Sequence, residues 1–419
     1  MSLRFFTGDT NGLIKSIKFN INDIDENGNG IDVTTMTDDE VDSTKRIEKL
    51  SINSNLISSC RSNSSIQLYE MKSNENKLNL IKGYNEDRWN EGDYFVGLSN
   101  SNDGLLSCTN SGKLLSFNVN DNKKLYYQLP NHLRDFKLSP QLNTFAYGGL
   151  EVELSVNDLN RTLELSSKDS KNVKSINKNY DNLNKQQRKK LKNDLNDGEL
   201  WRSKNLPNDN LNLRVPVHFT SLEYVDNNVL CTGSANGSVR LYDIRVNRRP
   251  VMINDELCRN NYIRHLKLGY DNNILISDNN SNLFNVDLRN LKLINGFKGI
   301  SGATNYASSC KFDKTICSAS MDKFIRIQKP ANSTSKAQTL SKIFVKSTPT
   351  VIEWDGNPLE YDEEQEQLKR RKTDNDNGSD SDDSQGELDD VLEGMETIEG
   401  EEMRQYRKAH GRRFKKKRV

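Results

Sequence analysis

The sequence contains no long apolar run, no excess of either charge sign and no cysteine pair. No stretch approaches the ~18 consecutive apolar residues of a membrane-spanning helix, so no such helix and no membrane partner are predicted. The opening MSLRFFTGDTNG lacks the apolar segment of a secretory leader, which argues against secretion. Cys60, Cys108, Cys231, Cys258, Cys310 and Cys317 are scattered, with no CxxC and no nearby histidine, so they read as small buried residues in a reducing compartment and not as a zinc site. Without a secretory route, the N-x-[ST] sequons at Asn63, Asn236, Asn332 and Asn377 are chance matches in an Asn-rich chain.

Catalytic signatures are equally scarce. His132, His218, His265 and His410 are isolated from one another and from carboxylate partners, and an isolated histidine is most often structural. The SGKLLS segment at 111–116 lacks the spacing of a phosphate loop, and HExxH, GxSxG and GxGxxG are absent. These absences predict a binding scaffold, with no enzyme activity, no cofactor and no metal. At 419 residues, an apolar share of 33% and a mean hydropathy of −0.82 are low for one packed globule, and imply a folded body carrying polar insertions or tails.

What is present is a repeat. Seven times, a short strand of apolar and small residues meets a turn rich in Gly, Asn, Ser or Asp and then an alternating strand. Examples are Leu56–Cys60 with SIQLY, Leu105–Cys108 with KLLSFNV, Val229–Gly233 with SVRLYDIR, and Ile316–Ser320 with KFIRIQK. Most turns recur after roughly 40–50 residues, the period of a four-stranded propeller blade. Strands converge near a propeller axis, so the small-residue strands, with Cys60, Cys108, Cys231 and Cys317, are expected innermost. LYDIR at 241–245 and NVDLR at 285–289 resemble the ending that names WD repeats, with Tyr242 or Val286 where Trp is usual; only Asp322 reads as a well-placed turn aspartate. The fold class is therefore all-β, a seven-bladed WD40-like β-propeller of degenerate repeats over 1–355; a β-sandwich is the alternative that seven similar units argue against. Pro349–Trp354 is expected to return to the first blade and remove a free sheet edge.

Three segments fall outside the repeat: polar insertions at about 20–45 and 165–213, and a charged tail over 356–419 with the composition of a disordered segment. The second insertion contains the basic stretch Lys185–Lys192, either a solvated loop that contacts nothing or an RNA-phosphate contact. The tail carries Lys369, Arg370, Arg371 and Lys372, then thirteen acidic and no basic residues between Asp374 and Glu402, then nine basic and no acidic residues between Arg404 and Arg418, among them Arg412, Arg413, Lys415, Lys416, Lys417 and Arg418. The net +1 is thus a cancellation. The basic clusters read as nuclear import or nucleic-acid contacts, and Ser379 and Ser381 as candidate acidophilic kinase substrates.

The most distinctive segment is Leu200–His218. Trp201, Lys204, Asn205, Asn208, Asp209, Leu211, Leu213, Arg214, Val215, Pro216 and Val217 fit W-x-x-K-N-x-x-N-D-x-L-x-L-R-V-P-V, which closely resembles the signature of the Nop-seven-associated WD-repeat proteins. FAYGGLEVELSVNDL, SGATNYASSC and SASMDKFIRI resemble further segments of that family, while His218 stands where Trp is usual and Ser318-Ala319 where a Gly pair is usual. Read from the residues alone, Trp201 is a core anchor or an interface hot spot. Either Arg214 pairs with Asp209 to hold the loop to the ring, or Lys204, Asn205, Asn208, Asp209 and Arg214 form a partner-contact face. The resemblance implies a nucleolar assembly factor of the large (60S) ribosomal subunit. Such a factor joins early pre-60S particles as a monomer, takes part in rRNA processing, contacts other assembly factors, ribosomal proteins and rRNA, and is released by an AAA-type ATPase. A general WD40 adaptor, such as a substrate receptor or chromatin reader, is the competing class.

Overall fold

The computed structural model describes residues 2–25, 28–37, 41–53, 55–71, 77–100, 104–119, 121–168, 195–208, 210–330 and 337–356, with side chains 166–168 excepted. The expected tail and the Lys185–Lys192 stretch lie outside these residues.

The described strands form seven four-stranded antiparallel sheets. In blades 2 to 7 the strand at the axis is the first of its unit: Ile47–Asn53, Phe95–Asn100, Leu133–Leu138, Phe219–Asp226, Ile263–Leu268 and Thr304–Ser309. Blade 1 takes its axial strand from the far end of the ring, Pro349–Trp354, which pairs with Ser2–Asp9 (Phe5 opposite Trp354, Gly8 opposite Val351). These seven strands neighbour one another around a central channel. Closure occurs where the sequence placed it. The small-residue strands, however, are not innermost: Cys60, Cys108, Cys231 and Cys317 lie on the second strand of each blade, one step out. Their small side chains are still fully buried, because that strand is packed on both faces by neighbouring blades.

Every axial strand carries a bulge after its first paired residue, at Thr350, Glu48, Val96, Arg134, Thr220, Arg264 and Asn305. A bulge bends the strand and re-aims its side chains. Here the same bulge in all seven blades sets the side chains at the mouth of the channel.

Two expected insertions are partly blade. Ile31–Thr35, inside the expected 20–45 loop, is the outer strand of blade 1, paired with Ile14–Asn20. Its polar composition follows from its edge position, which leaves Asp32, Val33 and Thr35 facing solvent. Glu199–Arg202, inside the expected 165–213 insertion, is the outer strand of blade 4. A helix, Leu159–Lys168, leaves the preceding strand; its first turn is capped by Asp158, whose Oδ1 accepts the Arg161 N–H at 3.0 Å.

Apolar side chains fill the spaces between blades. The largest cluster joins blades 7, 1 and 2 through Phe5, Ile14, Ile47, Ile325, Val351 and Ile352. Full burial of each such side chain contributes about 1.5–3 kcal/mol. Polar groups reinforce this seam. Arg4 and Asp355 form a buried ion pair, Thr7 Oγ1 donates to the Val351 carbonyl at 2.9 Å, and Asp9 takes Lys15 at 2.8 Å and the Ser347 hydroxyl at 2.6 Å.

Turn chemistry explains why the repeats look degenerate. The position that ends the second strand holds a side-chain acceptor for the following turn, but its identity varies. Asp9 Oδ1 accepts the Asn11 and Leu13 N–H groups, Thr109 Oγ1 the Lys113 N–H, Ser234 Oγ the Ser238 N–H, and Asp278 Oδ1 those of Asn280 and Asn282. Within the blade 5 turn, Gly237 has φ of +81° and an added Cβ would stand 1.8 Å from the Cys258 carbonyl, so no other residue fits there.

Candidate partner-binding loop and central channel

The 203–218 segment connects the outer strand of blade 4 to the axial strand of blade 5. Antiparallel strands alternate in direction, so this connection lies at the same end of the sheet as the turn at Leu150-Glu151. The Glu151 N–H accordingly donates to the Val217 carbonyl at 2.8 Å, and Leu150 bridges His218.

Trp201 is the core anchor of the two readings. It is only 7% exposed, packs among Ala146, Val156 and Leu222, and meets Tyr242 edge-on with ring centroids 5.9 Å apart. The two asparagines shape the loop. Asn205 Nδ2 donates to the Val215 carbonyl at 2.7 Å and closes the neck, while its Oδ1 accepts the Leu206 N–H. Asn208 Nδ2 reaches the Asn212 carbonyl at 3.1 Å and its side-chain oxygen at 2.9 Å, holding the tip. Asn212 occupies the left-handed region with φ of 61°, which asparagine tolerates. The backbone N–H of Lys204 donates to the Arg248 carbonyl at 2.7 Å, and Arg248 Nε to the Arg202 carbonyl, so the loop base is tied to blade 5.

Arg214 pairs with Glu151 at 2.8 Å, both side chains more than half exposed. The sequence offered Asp209 as its partner; Asp209 lies outside the described residues. Glu151 was out of view because it stands more than sixty positions upstream and is brought close only by the shared end of the sheet. The loop thus turns Trp201, Asn205 and Asn208 inward or onto itself. It presents Lys204, Arg214 and two signature leucines that the sequence reading left out of the contact face, Leu211 at 78% and Leu213 at 60% exposure. Chemically this is a cationic and apolar face. The tail residues Lys369, Arg370, Arg371, Lys372, Arg412, Arg413, Lys415, Lys416, Lys417 and Arg418 lie outside the described residues.

The channel carries several charged side chains and was not legible as a site. Toward the ends of the axial strands, Lys137 pairs with Glu223 at 2.9 Å and Lys267 with Glu353 at 2.8 Å, where Tyr306 also donates its hydroxyl at 2.9 Å. Burial opposes both lysine charges, but the facing carboxylates outweigh it and raise both lysine pKa values. His265 stacks on Tyr306, with ring centroids 3.7 Å apart. Burial, together with Lys137, Lys267 and Lys49, drives its pKa well below the usual histidine range, so the imidazole is neutral. Among the described residues no group of three or more His, Cys, Asp or Glu is arranged to hold a metal. All six cysteines are buried free thiols, and burial raises the pKa of each, which leaves them unreactive.

Seven blades closed by a returning axial strand define a WD40-like β-propeller. Among solved structures, the β-propeller domain of Myceliophteria thermophila Cps50 (Swd1) is similar in fold, with a TM-score of 0.53 at 13% identity, covering 74% of this chain and 90% of that one. No protein-family model matches the chain. Among curated proteins, the Ribosome biogenesis protein nsa1 of Schizosaccharomyces pombe is 24% identical over 65% of this chain and 69% of its own length. The Meyerozyma guilliermondii protein of the same name is 24% identical over 64% of this chain and 69% of its own length. WD repeat-containing protein 74 of Bos taurus is 28% identical over 41% of this chain, and the match spans less than half of that relative, 44%. The chain is similar to these proteins at 24–28% identity, and its 200–218 segment resembles the signature of the Nop-seven-associated WD-repeat family.

Proposed function

We propose that the chain is a non-catalytic assembly factor of the large ribosomal subunit, a propeller scaffold that docks on early nucleolar pre-60S particles. In this reading it takes part in rRNA processing beside other assembly factors and ribosomal proteins, and an AAA-type ATPase later releases it. The observation that carries the reading is the signature loop. Its neck and tip are fixed by Asn205 and Asn208, while Lys204, Leu211, Leu213 and Arg214 stand outward on a rigid ring. Loops held on a rigid scaffold commonly carry binding, and the named relatives in fungi are ribosome biogenesis proteins. The propeller with strand insertions, the acidic block at 374–402 and the basic end at 404–419 divide the work: the ring docks, and the basic clusters supply nuclear import and rRNA affinity.

The test is tagged full-length chain in cells. Nucleolar accumulation together with co-sedimentation in large pre-ribosomal particles supports the reading. A diffuse signal with free sedimentation refutes it and favours a general adaptor. Removing residues 404–419 is expected to lower nuclear concentration while leaving the ring folded.

A further inference from the structure

At the end of the channel where the axial strands begin, cations accumulate without ion pairs among the described residues. Arg46 immediately precedes the axial strand of blade 2, Arg134 and Arg264 are the bulge residues of blades 4 and 6, and Lys49 lies one position past the blade 2 bulge. Arg134, Arg264 and Lys49 line a cavity of about 130 Å³. Among the described residues none of these four forms an ion pair. Arg134 donates only to the Tyr94 hydroxyl, at 2.7 Å, and Arg264 to Asn279 Oδ1 at 3.2 Å and the Met321 sulfur.

Two carboxylates reach the same cavity and offset part of this charge, Glu48 acting on Arg46 and Lys49 and Asp135 on Lys49, while each also holds backbone amides. Glu48 Oε2 accepts the Phe95 N–H at 2.6 Å, linking blades 2 and 3. Asp135 accepts the Phe136 N–H at 3.0 Å and the Leu222 N–H at 2.7 Å, linking blades 4 and 5. The paired lysines toward the other end of the strands show what a balanced arrangement looks like in this channel. At this mouth the cations are in excess, and they crowd one another. Burial, with a smaller part from Arg46, lowers the pKa of Arg264, and burial lowers that of Lys49 against the pull of Asp135 and Glu48. An incoming anion would offset that cost of burial and supply hydrogen bonds to charged donors.

A carboxylate at the end of a flexible side chain is small beside a cavity of about 130 Å³, whereas a phosphodiester carries a ribose on either side. The rim supplies Tyr94, Tyr262 and His218, the last two edge-on with ring centroids 6.0 Å apart. Tyrosine and arginine are the residue types that most often dominate protein interfaces. We propose that this mouth docks an acidic peptide segment of a protein partner, with one Asp or Glu side chain entering between Arg134 and Arg264 toward Lys49. It rests on the scaffold reading only in taking a protein as the occupant. Binding is measured on the purified chain, so it can fail while particle association stands, and the reverse.

The test uses the full chain, fluorescein-labelled hexaglutamate and fluorescein-labelled decauridylate, read by fluorescence polarisation at low salt. Hexaglutamate is expected to lose about tenfold in affinity with Arg134→Ala, with Arg264→Ala and with Lys49→Met. Decauridylate is expected to be unaffected by Lys49→Met. Lys292→Ala, exposed on the outer strand of blade 6, should change neither by more than about twofold. Thermal unfolding reports whether each variant is folded, and if Lys49→Met is not, the two rim arginines decide. The proposal is overturned if hexaglutamate does not bind, or if folded rim variants bind it as well as the wild type does. It also fails if Lys49→Met weakens decauridylate instead, which would make the mouth an RNA site. Binding that emerges only once residues 374–402 are removed would assign the mouth to the chain's own acidic block.

Discussion

The seam between Pro349–Trp354 and Ser2–Asp9 is where one perturbation should undo the whole ring. Ending the chain at Thr348 removes the axial strand of blade 1 and with it three kinds of interaction. Val351 and Ile352, 2% and 0% exposed, each lose about 1.5–3 kcal/mol of burial. The ladder opposite Phe5 to Gly8 loses several hydrogen bonds, each contributing a net of about 0.5–1.5 kcal/mol. Arg4 loses Asp355 and is left as an unpaired buried charge, a cost of about 3–5 kcal/mol. The combined loss is on the order of 10 kcal/mol, comparable with the whole stability of an ordinary domain, about 5–15 kcal/mol. Circular dichroism and urea titration should therefore find the shortened chain without a cooperative unfolding transition, while a chain ending after Gly356 keeps one. A graded version is Asp355→Ala, expected to destabilise by about 3–5 kcal/mol with the ring still formed at low denaturant. If the chain ending at Thr348 unfolds at the same urea midpoint and slope as the longer one, closure by this strand does not hold the ring together.

Other outcomes follow from single side chains. Trp201→Ala should cost about 3–5 kcal/mol in urea unfolding, as a core truncation and not as a selective binding defect; an unchanged midpoint would return Trp201 to the surface. Arg214→Glu should change stability by less than about 1 kcal/mol, because its pair with Glu151 is exposed, yet reduce recovery of pre-ribosomal particles. Adding Glu151→Arg should not restore recovery if Arg214 meets a partner, and full restoration would mean the pair only sets the loop. Glu223→Gln should destabilise by about 1.5–3 kcal/mol at neutral pH. The raised pKa of Lys137 makes that contribution complete below the ordinary lysine value of 10.5 and lost as pH rises through the higher folded value, so the wild-type advantage should shrink only above about pH 10.5. A thiol reagent should find none of the six cysteines in the native chain and all six in denaturant.

The ring was legible because its turns repeat, and the signature loop because its residues are unusual for a connector. Ile31–Thr35 was not, since an edge strand with one covered face and a polar exterior has the composition of a loop. The small residues pointed correctly to tight packing, but tightness in this ring is greatest between blades and not at the axis, so Cys60, Cys108, Cys231 and Cys317 sit one strand outward. Asp322 was read as the turn aspartate and does accept the Phe324 N–H, but Asp9 and Asp278 each hold two turn amides. The channel cations carried no sequence signal at all. Arg46 and Lys49 flank the blade 2 bulge and Arg134 and Arg264 are the bulged residues of blades 4 and 6, where alternation breaks, and only ring closure brings the four to one mouth.

Crosslinking of the tagged chain within purified large-subunit precursors is the most direct test of the scaffold reading. The account expects crosslinks from Lys204 to assembly factors or ribosomal proteins of the particle, with the wild-type chain recovered in the particle fraction and the Arg214→Glu chain depleted from it. Recovery of the wild-type chain only in free fractions, with no crosslink to any particle component, would contradict it.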